Sequence, residues 1–179
     1  MGDRQSRRIE ERIAREVWLA LALLACALVQ TTLLPRLLGM APNVLLLLVI
    51  CQALIAGPVS GARWAFYAGL GLDLCSDSTL GSHSLALLAG ALLATLMLGW
   101  LSRGNWLLPL LGVVLGSLAY HSVLALIMSL LVAPVAPQVY LRVVLLPATL
   151  LILAPALPLF LTMRLLEGRR RGEVPIDVY

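Results

Sequence analysis

Apolar runs follow one another along the chain, each closed by a short polar, proline or glycine break. The first covers residues 17–34 and stops at Pro35-Arg36. The second covers 42–56, opened by Pro42-Asn43 and closed by Gly57-Pro58. The third covers 61–76, and the fourth, 84–101, stops before Arg103-Gly104-Asn105. The fifth covers 106–132 and gives way to Ala133-Pro134-Val135-Ala136-Pro137. The sixth, 139–163, contains Pro147, Pro155 and Pro158, which predicts a kinked helix. A run of roughly 17–25 apolar residues spans a bilayer as a helix. The pattern therefore predicts an all-α polytopic membrane protein with six transmembrane helices and short loops. The second run is short: residues 43–56 make about 21 Å of helix against a core of roughly 30 Å, so it belongs inside a bundle.

Polar residues gather at the two ends. Residues 1–16 interleave Arg7, Arg8, Arg12 and Arg15 with Glu10, Glu11 and Glu16, over an apolar stripe of Ile9, Ile13 and Val17. Glu11 and Arg15 stand in the favourable i,i+4 order, so this leader reads as a basic amphipathic helix on, or leading into, the membrane. Residues 17–163 form the six-span domain, and 164–179 an arginine-rich tail. All 13 basic residues are arginine. Six spans with an inner N-terminus leave only Arg36 and Arg142 on the outer side, a strong positive-inside bias. Trp18, Trp64, Trp100 and Trp106 then fall at inner ends of spans, where amphipathic rings prefer to sit. Both termini are expected in the cytoplasm.

Composition narrows the function. The chain is 61% hydrophobic and 12% charged, and its 179 residues leave no room for a soluble catalytic domain beside six spans. The formal charge of +4 sits mainly in the tails, which suits orientation and contact with anionic lipid rather than nucleic acid. Cys26, Cys51 and Cys75 lie in apolar segments without metal-ligand spacing. Leu23-Leu24-Ala25-Cys26 has the outline of a lipoprotein cleavage box, but the apolar run continues to Leu34, so the segment reads as a retained span. No nucleophilic triad, phosphate-binding glycine loop or His/Cys cluster is present, so neither a catalytic set nor a cofactor site is expected.

One polar spot stands out inside the spans. Asp73 and Asp77 are the acidic residues between Val17 and Met163. A carboxylate at membrane depth costs a few kcal/mol and is tolerated where it faces protein, water or a partner. Gly57, Gly61, Ala65 and Gly69 precede Asp73 at four-residue spacing, a face on which a second helix approaches closely. Asp73 continues that face, about 15 Å beyond Arg63 and near mid-membrane. His121, after the small pair Gly112 and Gly116, reaches a similar depth, which leaves two readings. One is an Asp73–His121 proton relay; the other, favoured here, is a carboxyl that accepts hydrogen bonds near a helix end and locks the bundle. Asp77 with Ser76, Ser78 and Thr79 forms a polar turn before Leu80-Gly81. The residues expected to pack helices or bind a partner are Pro42, Asn43, Gly61, Ala65, Gly69, Asp73, Leu74, Gly81, Gly112 and Gly116.

This region carries a resemblance. Met40-Ala41-Pro42-Asn43-Val44-Leu45-Leu46-Leu47, then Gly69-Leu70-Gly71-Leu72-Asp73-Leu74, then Ser78-Thr79-Leu80-Gly81 before an apolar fourth span resemble the MreD family of bacterial rod-shape membrane proteins. The specific motifs lie within residues 40–90, while the length, span number and inner termini agree along the rest. The longer basic leader and the arginine-rich tail depart from the family layout. The resemblance implies a multi-pass protein of the bacterial inner membrane and a non-enzymatic role in the cell-elongation complex. It also implies association with the transmembrane helix of MreC and, through the complex, with the RodA–penicillin-binding-protein synthase and MreB filaments. It further implies a bundle similar to the membrane substrate-binding subunits of vitamin transporters. That kinship supplies the alternative, a small-molecule-binding subunit, which would need several polar or aromatic groups lining a pocket. Aromatic residues are 6% of the chain, and the four tryptophans belong to the inner interface.

Overall fold

The computed structural model describes residues 3–33, 42–76, 78–99, 105, 107–131 and 137–171, and every described element is helical. Expectations for Arg36, Asp77, Trp100, Arg103 and Trp106 fall outside the described residues. Helix α1 (Asp3–Thr32) joins the leader and the first span without a break. Its apolar part, Glu10–Thr32, is long enough to cross a membrane, as are Leu107–Leu131 and Gln138–Gly168. Two further apolar helices are shorter, α2 (Val44–Ala56) and α4 (Ser82–Leu98). Helix α3 (Pro58–Cys75) is 18 residues long and carries Arg63 and Asp73.

The shortness of α2 has a packing reason. Ten of its 13 residues are buried, and it touches α1, α3, α4, α5 (Leu107–Leu131) and α7 (Leu146–Arg171). A helix apolar on all sides is stable where neighbours surround it. Leu45, Leu46, Val49, Ile50 and Cys51 are fully enclosed, making α2 the axis of the bundle. Helices α3, α4, α5 and α7 stand around it, and α1 lies outside against α3.

Local chemistry sets the boundaries. Asn43 caps α2, its Oδ1 accepting from the Leu46 N–H at 3.0 Å. Gly57 alone connects α2 to α3, at φ +93°, a conformation that a residue with a Cβ rarely adopts. Pro58 follows as the first residue of α3, where its missing N–H costs nothing, so the third span starts three residues earlier than the apolar run. The last span opens with α6 (Pro137–Tyr140) and passes through a π-helical stretch, Leu141–Leu145, into α7. The Leu146 N–H bonds back to Leu141 O, five residues earlier. That widened turn lies where the ring of Pro147 would otherwise press on the carbonyl four residues before it. Pro155 and Pro158 remain inside α7.

Small residues bring these helices together from within. A Cβ on Gly61 would meet the Cβ of Ala53 and lie 2.7 Å from its Cα, so α2 and α3 touch backbone to backbone. Gly112 faces Leu54, with 2.6 Å to its Cδ1, and Gly116 faces Ile50. Gly90 of α4 sits 2.8 Å from the Gly116 carbonyl oxygen by the same measure. Because Gly61 and Gly69 are buried against the chain's own α2 and α4, a bulky residue there disturbs internal packing rather than a face offered to a second protein. Gly61→Leu should lower stability by about 1–3 kcal/mol, the range for overpacked cores. Gly168→Leu, where nothing lies within 4 Å, should leave the thermal midpoint of the detergent-solubilised protein unchanged. Equal midpoints for the two variants would refute this packing.

Candidate functional site

Asp73 stands in the last turn of α3, 3% exposed. The helix ends at Cys75, so the carboxyl lies at a helix end beside the following loop, not halfway along a span. Gly69, one turn earlier on the same face, lets α3 close on the start of α4: a Cβ there would collide with the Ser84 backbone and come 2.8 Å from its Oγ. That approach sets the Asp73 carboxyl beneath the N-terminus of α4. The first N–H groups of a helix have no partner within it, and Gly81, the residue at the cap position of α4, has no side chain to offer. Asp73 supplies what is missing. Its Oδ2 accepts from the Gly81 N–H at 2.8 Å, and its Oδ1 accepts from the His83 N–H at 3.0 Å. The Ser82 hydroxyl donates to Oδ1 at 3.2 Å, the Ser78 hydroxyl to Oδ1 at 3.4 Å, and the Ser84 hydroxyl to Oδ2 at 3.4 Å. An acidic group here also faces the positive end of the helix dipole. Gly81 turns the chain onto the carboxyl at φ +91°, in the left-handed region.

A second polar group extends from this knot. His83 Nδ1 lies 2.8 Å from the Tyr120 hydroxyl, with the two rings nearly parallel. Tyr120 also interacts with the Asn43 side chain and meets the His121 ring edge-on at 5.0 Å. Gln30 ties α1 to the same end, its Oε1 accepting from the Leu45 N–H at 2.9 Å and its Nε2 donating to Asn43 Oδ1 at 3.3 Å. His121 has partners of its own. Its Nδ1 lies 2.8 Å from Ser117 O, and the Ser117 hydroxyl pairs with Thr149 at 2.7 Å.

Asp73, Gly81, Gly69, Pro42 and Asn43 come to one end of the bundle, whereas Gly61 lies toward the other, where Arg63 pairs with Glu16 of α1. Ala65 is fully enclosed, and Leu74 is largely exposed on the outer surface of α3. Asp73 and His121 share no hydrogen bond; the histidine beside Asp73 is His83, which sequence reasoning passed over. Its signal was the Gly81-Ser82-His83-Ser84 turn eight residues after an intramembrane acid. Tyr120 is likewise missed, while Gln30 and the Ser117 and Thr149 hydroxyls, candidate partners for Asp73 by sequence, pair elsewhere. Among the described residues no group of three His, Cys, Asp or Glu side chains is placed to hold a metal ion.

Several apolar helices around a buried central one, tied at one end by an acid-capped helix, define a multi-pass membrane bundle. The sequence model of the family described as rod shape-determining protein MreD matches residues 11–167. The chain belongs to that family of membrane proteins, which determine cell shape. No curated protein and no solved structure matches it.

Asp73→Ala leaves the Gly81 and His83 N–H groups buried without an acceptor, each worth about 1–3 kcal/mol. Asp73→Asn keeps one acceptor oxygen. The thermal midpoint should therefore fall in the order wild type, Asn, Ala; an alanine variant as stable as wild type would contradict the capping role.

Proposed function

We propose that the protein is a non-enzymatic membrane scaffold of the cell-elongation complex, which binds the transmembrane helix of MreC and helps organise sidewall peptidoglycan synthesis and rod shape. In this reading all six helical segments cross the inner membrane, with both termini in the cytoplasm. The RodA–penicillin-binding-protein synthase and MreB are reached through the complex, and the basic leader and tail rest on anionic lipid.

One observation beyond family membership carries the proposal: the buried polar side chains are occupied with one another. The Asp73 carboxyl takes donors from Ser78 through Ser84, His83 is held by Tyr120, and His121 by Ser117. A substrate subunit keeps convergent polar groups open toward a pocket. Here they are spent on joining helices, while the outer faces of α1, α3 and α5 expose Leu21, Phe66, Leu74 and Leu126 to whatever lies alongside in the membrane. A helix bundle held rigid from within and apolar outside suits contact with other transmembrane helices.

The test is affinity co-purification of the tagged protein with its host's MreC in two mild detergents. Stable recovery of MreC is expected, and Asp73→Asn should retain it, since the amide still accepts at the start of α4. A monodisperse protein that recovers no MreC in either detergent would overturn the scaffold reading in favour of a small-molecule-binding subunit.

A further inference from the structure

Between the far half of α5 and the π-helical stretch runs an apolar groove of about 370 Å³. Leu118, Ser122 and Ala125 line one wall, and Tyr140, Leu141 and Leu145 the other. The groove has a structural origin, because none of Leu141–Leu145 is fully buried and the widened turn stands off from α5. Leu118 and Leu141 are exposed along it, so it opens toward the surrounding membrane.

Arg142 lies in the same stretch, between Leu141 and Leu145. It is exposed, and among the described residues it makes no ion pair or hydrogen bond. Its depth is fixed by the helix. Arg164 follows 22 residues later along the continuous span Gln138–Gly168, roughly 33 Å at 1.5 Å per residue. That distance matches a hydrocarbon core of about 30 Å, so the two arginines bracket the core and Arg142 sits at headgroup level. Tyr140 beside it is the kind of residue that favours the interface. Arg142, without a partner among the described residues, thus stands in the stretch that lines the groove, at the height of lipid phosphates.

We propose that this groove holds an acyl chain of an anionic phospholipid whose phosphate pairs with Arg142. A guanidinium offers two parallel N–H donors to a phosphate, and hydrocarbon is what the apolar walls accept. The site is distinct from the basic leader and tail, and it does not depend on the scaffold reading.

Native mass spectrometry of the full chain tests the proposal, with phosphatidylglycerol and phosphatidylcholine of identical chains offered together. Wild type should retain phosphatidylglycerol over phosphatidylcholine, with about a fivefold share of that preference due to Arg142, the factor one basic residue contributes near an anionic headgroup. Arg142→Gln should lower that preference by about this factor, leaving the share that the basic leader and tail contribute, while Arg164→Gln, which removes the same charge away from the groove, should leave the loss caused by Arg142→Gln undiminished. Ala125→Leu, which fills the groove, should reduce retention of both lipids with an unchanged thermal midpoint. Equal retention of the two lipids by wild type would overturn the proposal, as would a preference that Arg142→Gln leaves unchanged.

Discussion

The first N–H groups of a helix have no partner within it, and leaving them unsatisfied costs free energy; that constraint shapes the polar half of this protein. Helix α4 begins within the bundle behind a glycine that cannot cap it. The carboxyl of Asp73, from the preceding helix, takes the N–H groups of Gly81 and His83 and the hydroxyls of three serines. A residue whose burial is costly alone becomes a tie between α3 and α4. The tie depends in turn on Gly69, because a larger residue would hold α4 away from the carboxyl. Small residue, close approach and acid act as one device.

The apolar half follows a different rule. In lipid, association of helices gains little from burying apolar surface, so close packing and small residues dominate. Gly61 against Ala53 and Gly90 against Gly116 bring backbones together, while Ile50 and Leu54 of α2 fill the space left by Gly116 and Gly112. Helix α2 is consequently held on all sides and need not be as long as the bilayer is thick. Its entry is tied to α1 through Gln30 and to α5 through Asn43 and Tyr120. The end of the bundle with the knot is thereby stitched across α1 to α5.

Much of this was legible in the sequence. The apolar runs locate each of the six helical segments, because hydropathy and the Gly57-Pro58 break act locally, although α1 begins 14 residues before its run and α7 ends eight residues beyond its own. The four-residue ladder ending in Asp73 correctly marks a buried face of α3, since that spacing is a property of the helix itself. Which neighbour fills the face was not legible. Gly61 reads equally well as a contact for a second protein, and only the fold shows Ala53 against it. His121 stands out in the sequence because it follows Gly112 and Gly116 at a depth similar to Asp73, whereas His83 is hidden in a turn of serines. The partner of Asp73 depends on how the loop after Ser76 folds back, a tertiary matter that no periodicity encodes. The π-helical stretch before Pro147 was likewise out of reach, because prolines predict a disturbance without specifying its form.

Asp73 caps α4 structurally, and the polar end of the bundle depends on that cap. Amide hydrogen exchange of the protein in nanodiscs reads that cap at the groups concerned. The Gly81 and His83 amides should be protected to the same degree as the middle of α4 in wild type. In Asp73→Ala they should exchange rapidly while the α2 amides stay protected. Rapid exchange at Gly81 and His83 in the wild-type protein would contradict the account.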